Sequence, residues 1–264
     1  MALEIERDRP TYPVRSLEKA IRILDALREA GEPMGISELS TKLELGVSAV
    51  HRHLDTLHYH GWVEQDPTTL KYMLGTRFIE FGASVIERLG FGSRTRPYLE
   101  RLMSEVGETV NLCVADRGEV LFVEKFESER FLRTVTHVGA RVPLHCTGMG
   151  KAMLAFLPEA ELRAFLDGRS LDGFTPYTIT DPTSLEAHLG TIRRQGYAVD
   201  NEEYIIGVRC IAAPLLGRGG HAVAAVSVSG PTARLSEDRI ADVAARVKAV
   251  AQEMSRDLDV ELLR

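Results

Sequence analysis

Two serines on one strand, a cysteine on another and a glycine-bearing loop that enters a helix are the residues best placed for chemistry in this 264-residue chain. Ser227 and Ser229 alternate with Val226 and Val228, so both hydroxyls face one side of a strand. Cys210 opens a second strand candidate. The stretch Arg141–Ala152 runs through small residues into a helix, whose first N–H groups favour an anion. The segment Phe131-Leu-Arg-Thr134 starts a further strand. Hydroxyls, a thiol and amides set in an apolar body make a non-covalent grip suited to a small carboxylic acid, aliphatic or aromatic. The competing chemistry is nucleophilic. Cys210 activated by a base such as His145 would make a cysteine-dependent hydrolase or sensor enzyme on the same α+β domain. The two lie far apart in sequence, and no catalytic residue is assigned. Asp200-Asn-Glu-Glu203 reads as a solvated acidic loop with one residue reaching the pocket. No metal and no cofactor is expected, because the three cysteines, Cys113, Cys146 and Cys210, show no CxxC or Cys/His spacing.

A second group of residues points to nucleic acid. Between Gly35 and Asp66 the pattern predicts a helix, a turn, a second helix with polar residues outside, and a strand entering a hairpin. That is a winged helix-turn-helix, in which the second helix enters the major groove and the first holds it against the backbone. Ile36, Leu39 and Leu43 form one apolar stripe. Gly46 marks the turn, Ser48 is the expected cap of the second helix, and Val47, Val50, Leu54 and Leu57 its buried face. At about 100° per residue Arg52 lies opposite that face, flanked by Ser48, Ala49, Asp55 and Thr56, with His51 and His53 on the shoulders. An earlier helix carries Leu17, Ala20, Ile21, Leu24 and Leu27 on its stripe. Trp62–Glu64 and Tyr72–Leu74 are the wing strands. Candidate DNA contacts are Arg15, Lys19, Ser37, Ser48, Ala49, His51, Arg52, Thr56 and Lys71.

Charge works against a lone DNA-binding unit. Residues 1–75 hold nine Lys and Arg against twelve Asp and Glu, and the whole chain has a net charge of −6. A monomeric DNA binder usually carries a basic excess, so the cations must cluster on one face and more than one copy must act together. No apolar run reaches the roughly 20 residues of a membrane span, and the N-terminus lacks a signal-peptide core. A reducing cytoplasm is the expected location.

The elements that position these groups fall into order along the chain. Residues 1–14 read as a flexible arm, 15–75 as the winged domain, 76–90 as a linker helix and 91–264 as an α+β effector-binding domain. The linker helix carries more apolar residues (Phe78, Ile79, Phe81, Val85, Ile86 and Leu89) than solvent tolerates, so it is expected to pack against another chain. Pro97–Val106 starts the last domain as a helix. Strands are expected at Thr109–Asp116, Val120–Phe126, Arg133–Thr136, Tyr197–Asp200, Cys210–Leu216 and Ala222–Ser229, and helices at Gly148–Phe156, Glu159–Leu166, Ser184–Gln195 and Ser236–Leu258. Strands, then helices, then strands indicate an antiparallel sheet.

At this point the chain resembles the IclR family of bacterial transcriptional regulators. The resemblance rests on Ser16-Leu-Glu-Lys-Ala20, the Ser48–Leu57 helix with Arg52, Gly107-Glu-Thr109, Pro143-Leu-His145, Gly150-Lys-Ala152, Asp200–Cys210 and Val226-Ser-Val-Ser-Gly-Pro231. It implies a winged helix-turn-helix, a linker helix and a GAF-like effector-binding domain. The implied protein is a homodimer or a dimer of dimers that binds a pseudo-palindromic double-stranded operator, more often as repressor, and controls a catabolic operon in response to a small molecule. Carried over position by position, the effector pocket falls on Phe131, Thr134, Val142, Gly148, Met149, Asp200, Val208, Cys210, Ser227 and Ser229. One departure is Gly46-Val47, where many members carry Pro-Lys or Pro-Arg. His51 and His53 are also unusual, so the operator sequence is not implied.

Overall fold

The computed structural model describes residues 10–128, 130, 136–167 and 170–257. The chain divides into two compact units, with the break between Val85 and Ile86.

The N-terminal unit is built on three helices, α1 (Arg15–Ala30), α2 (Ile36–Leu43) and α3 (Val47–Tyr59), and a two-stranded wing, β1 (Val63–Gln65) and β2 (Tyr72–Leu74). The wing strands are antiparallel, Val63 opposite Leu74. At the wing tip Asp66 accepts the backbone N–H groups of Thr68 and Thr69 at 2.7 and 2.8 Å. Ile23, Leu27, Leu39, Leu43, Val50, Leu54, Leu57 and Val63 form one core.

Three local expectations need correction. The buried stripe of α1 is Ala20, Ile23, Leu24, Ala26 and Leu27, while Leu17 and Ile21 lie exposed. This helix has more apolar residues than one face can bury, so spacing alone leaves two phases open. The left-handed position of the turn is Glu44 (φ 55°), not Gly46 (φ −61°). Gly46 rather than Ser48 is the N-cap of α3, without a side-chain cap, so Ser48 lies inside the helix and Val47, in its first turn, is exposed. Helix α4 (Arg77–Arg88) buries none of its residues; Ile79 is 71% and Phe81 48% exposed.

The C-terminal unit begins with α5 (Arg96–Val106) and continues as β3 (Thr109–Asp116), β4 (Glu119–Phe126), β5 (Arg141–Pro143), α6 (Gly148–Leu154), α7 (Glu159–Leu166), α8 (Pro182–Gln195), β6 (Ala198–Asn201), β7 (Val208–Leu216), β8 (Ala222–Pro231) and α9 (Ile240–Asp257). The sequence pattern missed β5. The strand expected at Arg133–Thr136 lies, but for Thr136, outside the described residues. The six strands form one antiparallel sheet in the order β5-β4-β3-β8-β7-β6. Arg117 and Gly118, both at positive φ, make the tight turn of the β3–β4 hairpin.

The sheet has two unlike faces. One packs Val110, Leu112, Ile211, Ala213, Val226 and Val228 against α5 and α9 in an apolar core. The other meets α6, α7 and α8 through Cys113, Phe122, Val142, Ala212 and Ala225, and also carries the polar residues. Between the two lies a β-bulge. Leu112 pairs Glu124 and Cys113 pairs Phe122, which leaves Val123 as an extra residue in β4. The alternation of β4 is reversed beyond it, so Glu124 and Phe126 share the α5/α9 side while Lys125 shares the face of Phe122.

Candidate functional site

On the helix-facing side of the sheet two neighbouring cross-strand rows are polar. The first runs Asp200, Cys210, Ser229, Thr109 across β6, β7, β8 and β3. The second runs Ala198, Ala212, Ser227, Asn111, Lys125 and reaches β4. Residues directly opposite in antiparallel pairs project to the same side, so topology assembles one patch from segments far apart in sequence. Ser227 and Ser229 are buried, and the Asn111 amide donates to both hydroxyls at 3.4 and 3.3 Å. Thr136 Oγ1 in turn donates to Asn111 Oδ1 at 3.4 Å.

Helix α6 covers this face closely. A Cβ built at Gly148 would stand 3.1 Å from Cys210 Sγ. Met149 is buried beside it. Val208 lies half-buried at the edge of the same face. Val142 belongs to the same side but to its apolar end, opposite Val120. Phe131 and Thr134 lie outside the described residues. The structure therefore brings Asp200, Cys210, Ser227 and Ser229 together, with Gly148, Met149 and Val208 around them. One amide of the helix start is already used: Gly150 N donates to Thr147 Oγ1 at 3.2 Å. Asn111, Thr109 and Lys125 escaped the sequence reading. A lone amide inside the apolar run Thr109–Val114 was the available signal.

The electrostatics of this face oppose a nucleophilic role. Burial pushes the Cys210 thiol up to about 11, with Asp200 adding to it and the Ser229 and Ser227 hydroxyls partly offsetting it. Burial raises Cys146 to about 12 and Cys113 well above its ordinary value. All three thiols thus stay protonated near neutrality, whereas a nucleophile is a thiolate. His145, the expected base, engages the Asp172 carbonyl through Nε2 at 2.9 Å and lies beside the Phe174 ring, 6.1 Å between centroids. The hydrolase alternative has no activated thiol here.

Beside the polar rows Lys151, fully buried on α6, is ion-paired to Glu203 and donates to the Val199 carbonyl at 2.8 Å. Asp200 accepts the Glu203 N–H at 2.8 Å. Asp200, expected in the pocket, is buried, and so is Glu203, which the reading of a solvated loop had left outside. Burial pushes the Asp200 carboxyl from 3.8 up to about 7 against the pull of Lys151. His188 moves the other way, down to about 4, through burial and the nearby Lys151 ammonium. Between pH 3.8 and about 7 the folded chain keeps an Asp200 proton that the unfolded chain releases. Asp200's contribution to stability therefore falls as pH rises through that window and is level above it. His188 binds fewer protons folded than unfolded between about 4 and 6.5, so its contribution falls as pH drops, and the two slopes oppose. Asp200→Asn is expected to remove the first and expose the second. Urea melts across this range should show the variant gaining on the wild type as pH rises, by at most about 4 kcal/mol in total. A constant difference would mean that Asp200 is ionised throughout.

In the N-terminal unit α3 turns Ser48, His51, Arg52 and Thr56 to solvent, with Ala49 half-buried. Arg15 and Ser37 are exposed and Lys19 half-buried. The Lys71 ammonium lies 3.0 Å from Glu38, in an ion pair open to solvent. Glu38 also receives the Gly35 N–H at 2.6 Å, and both contacts hold its carboxyl below its ordinary value, the backbone one most.

Residues 83–256 match the model of the bacterial transcriptional regulator IclR C-terminal domain, and residues 16–67 that of the IclR helix-turn-helix domain. The chain belongs to the IclR family. It is 38% identical over 242 residues to the HTH-type transcriptional regulator BhcR of Paracoccus denitrificans, covering 92% of this chain and 86% of that one. It is 34% identical to the HTH-type transcriptional repressor AllR of Escherichia coli, covering 94% and 91%. Among solved structures, the IclR of Thermotoga maritima superposes with a TM-score of 0.78 at 36% identity, covering 93% and 99%. The regulator thus combines a DNA-binding helix-turn-helix with a C-terminal effector domain, and it falls in a family of transcriptional regulators rather than enzymes. Among the described residues no helix is long and apolar enough to cross a membrane.

Proposed function

We propose that this regulator is a cytoplasmic, homo-oligomeric repressor of a catabolic operon, released or retained on its operator by a small carboxylic acid. Residues 15–75 would bind DNA, 76–90 link, and 91–264 bind the effector. The observation that carries the reading is the presence in one chain of an outward polar face on α3 and a buried polar patch on the sheet. Ser227, Ser229 and Cys210 line that patch with Asp200, and Gly148, Met149, Val142 and Val208 supply its apolar surroundings. Repression is favoured by the likeness to AllR. Assembly is favoured by α4, whose exposed Ile79, Phe81 and Val85 need a partner helix, and by the acidic balance of the winged unit. Two copies would present two α3 helices to two half-sites.

Arg52 is the residue to test. Arg52→Ala is expected to weaken binding to a duplex selected by the wild-type protein by about 1–3 kcal/mol, with the melting curve unchanged. A base contact would relax the sequence preference at one position of each half-site; a phosphate contact would instead lower the salt dependence. Wild-type affinity in the folded variant would remove Arg52 from the interface. If the selected duplex binds without any dependence on salt, the DNA-binding reading of this face is lost. Screening carboxylic acids for release of that duplex tests the effector half.

A further inference from the structure

Hydroxyls and helix-start amides can hold an acid, but none of them carries a full positive charge that would set the acid apart from its uncharged analogues. Of the described strand and α6 residues on this face, two carry positive charge, Lys151 and Lys125. Both are ion-paired, but the partner of Lys151 is the buried Glu203, whereas that of Lys125 is Glu127, which solvent can reach. Lys125 stands directly opposite Asn111, in the row that continues to Ser227. Its side chain is only 5% exposed. The β4 bulge at Val123 is what turns it to this side; unbroken alternation from Phe122 would have sent it to the α5/α9 face.

The surroundings fit an anion site. The ammonium donates to the Thr136 carbonyl and lies 2.6 Å from Glu127, whose side chain is 48% exposed. An ammonium has three donor directions. Thr136 also reaches Asn111, and Asn111 reaches both serines, so the cation and the hydroxyls belong to one continuous polar network. At a strand spacing of about 4.8 Å, β4 lies about 10 Å from β8, a gap that a lysine side chain and a small carboxylate together can bridge. The acidic partners on this face, Asp200 and Glu203, are grouped with Lys151 at the β6 end.

We propose that Lys125 is the specificity-determining residue of the effector site, binding the carboxylate end of the effector and rejecting its uncharged analogues. The proposal rests on the effector-pocket reading above. It places the acid end near Lys125, Asn111 and Ser227, and the rest of the molecule toward Cys210 and Asp200.

The test is calorimetry on the full chain with lactate, benzoate and 4-hydroxybenzoate and their primary amides. Wild-type protein should bind at least one acid and prefer it to its amide. Lys125→Met should weaken that acid roughly 10- to 100-fold, as loss of a hydrogen bond to a charged group implies, and leave the amide unchanged. Lys125→Arg should keep the preference. Equal weakening of acid and amide would make Lys125 a strap for the Thr136 segment and overturn the proposal. So would an unchanged acid affinity, or wild-type protein that binds none of the acids at millimolar concentration. The double variant Ser227→Ala with Ser229→Ala separates the two readings. If it loses acid and amide alike while Lys125→Met loses nothing, the pocket stands and Lys125 is wrong. If it binds normally, the acids bind elsewhere and the pocket reading fails.

Discussion

Gly150→Ala is expected to destabilise the C-terminal unit by roughly 3 kcal/mol or more, lowering its melting temperature by about 6–12 °C. A Cβ at this position would stand 2.1 Å from the Leu144 carbonyl oxygen and 2.4 Å from Leu144 Cα. Both are backbone atoms and cannot swing aside as a side chain can. They belong to the turn between β5 and α6, whose Thr147 hydroxyl bonds the Pro143 carbonyl at 2.7 Å. The helix must therefore lift off the sheet, and Met149, Met153 and Leu154 lose packing with it. Gly190→Ala supplies the contrast. Gly190 lies inside α8, where a Cβ would meet only the flexible end of Arg194 at 3.8 Å. Alanine should stabilise there by about 0.5–1 kcal/mol, since glycine is the poorer helix former. Thermal melts of the two variants against wild type should move in opposite directions. A Gly150→Ala protein that melts with the wild type would mean that α6 sits farther from the 144–147 turn.

Lys151→Met is expected to cost about 3–5 kcal/mol, because it leaves Glu203 buried without its counter-ion. The pair is enclosed, with side-chain exposures of 0% for Lys151 and 8% for Glu203. Glu203 Oε2 has no hydrogen-bond partner among the described residues, so Lys151 carries most of its compensation. Adding Glu203→Gln should recover a large part of the loss, since removing both charges removes the buried unpaired one. Denaturant melts of the two single variants and the double variant measure this coupling directly. Losses that simply add would show the two groups to be independent.

How much of this was legible in the sequence depended on whether one periodicity had one solution. Strands β3 and β8 and helix α7 were placed within two residues of their observed ends, because apolar alternation between glycines marks the strands and helical apolar spacing after Pro158 marks α7. Helix α1 was placed but wrongly phased, since Leu17, Ile21 and Ile23 offer competing stripes and only packing against α2 and α3 selects one. The turn before α3 was assigned to Gly46 because glycine is the cheap left-handed residue; Glu44 takes that position instead, closing α2. Cys210, Ser227 and Ser229 were legible in residue type and alternation, and Asp200 through the family resemblance, but their common face depends on the order β8-β7-β6, which no local pattern encodes. Lys125 was invisible for a sharper reason. Its direction is set by one unpaired residue, Val123, and a charged residue near a strand end otherwise reads as solvent-exposed.

The two polar rows draw on β3, β4, β6, β7 and β8, with α6 above them. A molecule seated there would touch segments that meet only in the folded unit. The unfolded chain offers it nothing, so its binding free energy adds to the folding free energy, by about 2.7 kcal/mol at a hundredfold excess over Kd. Occupancy of the proposed site is then readable as heat resistance of this one unit, with the winged unit as an internal reference. The natural effector can be sought by melting the protein in a library of acids, before any operator is known.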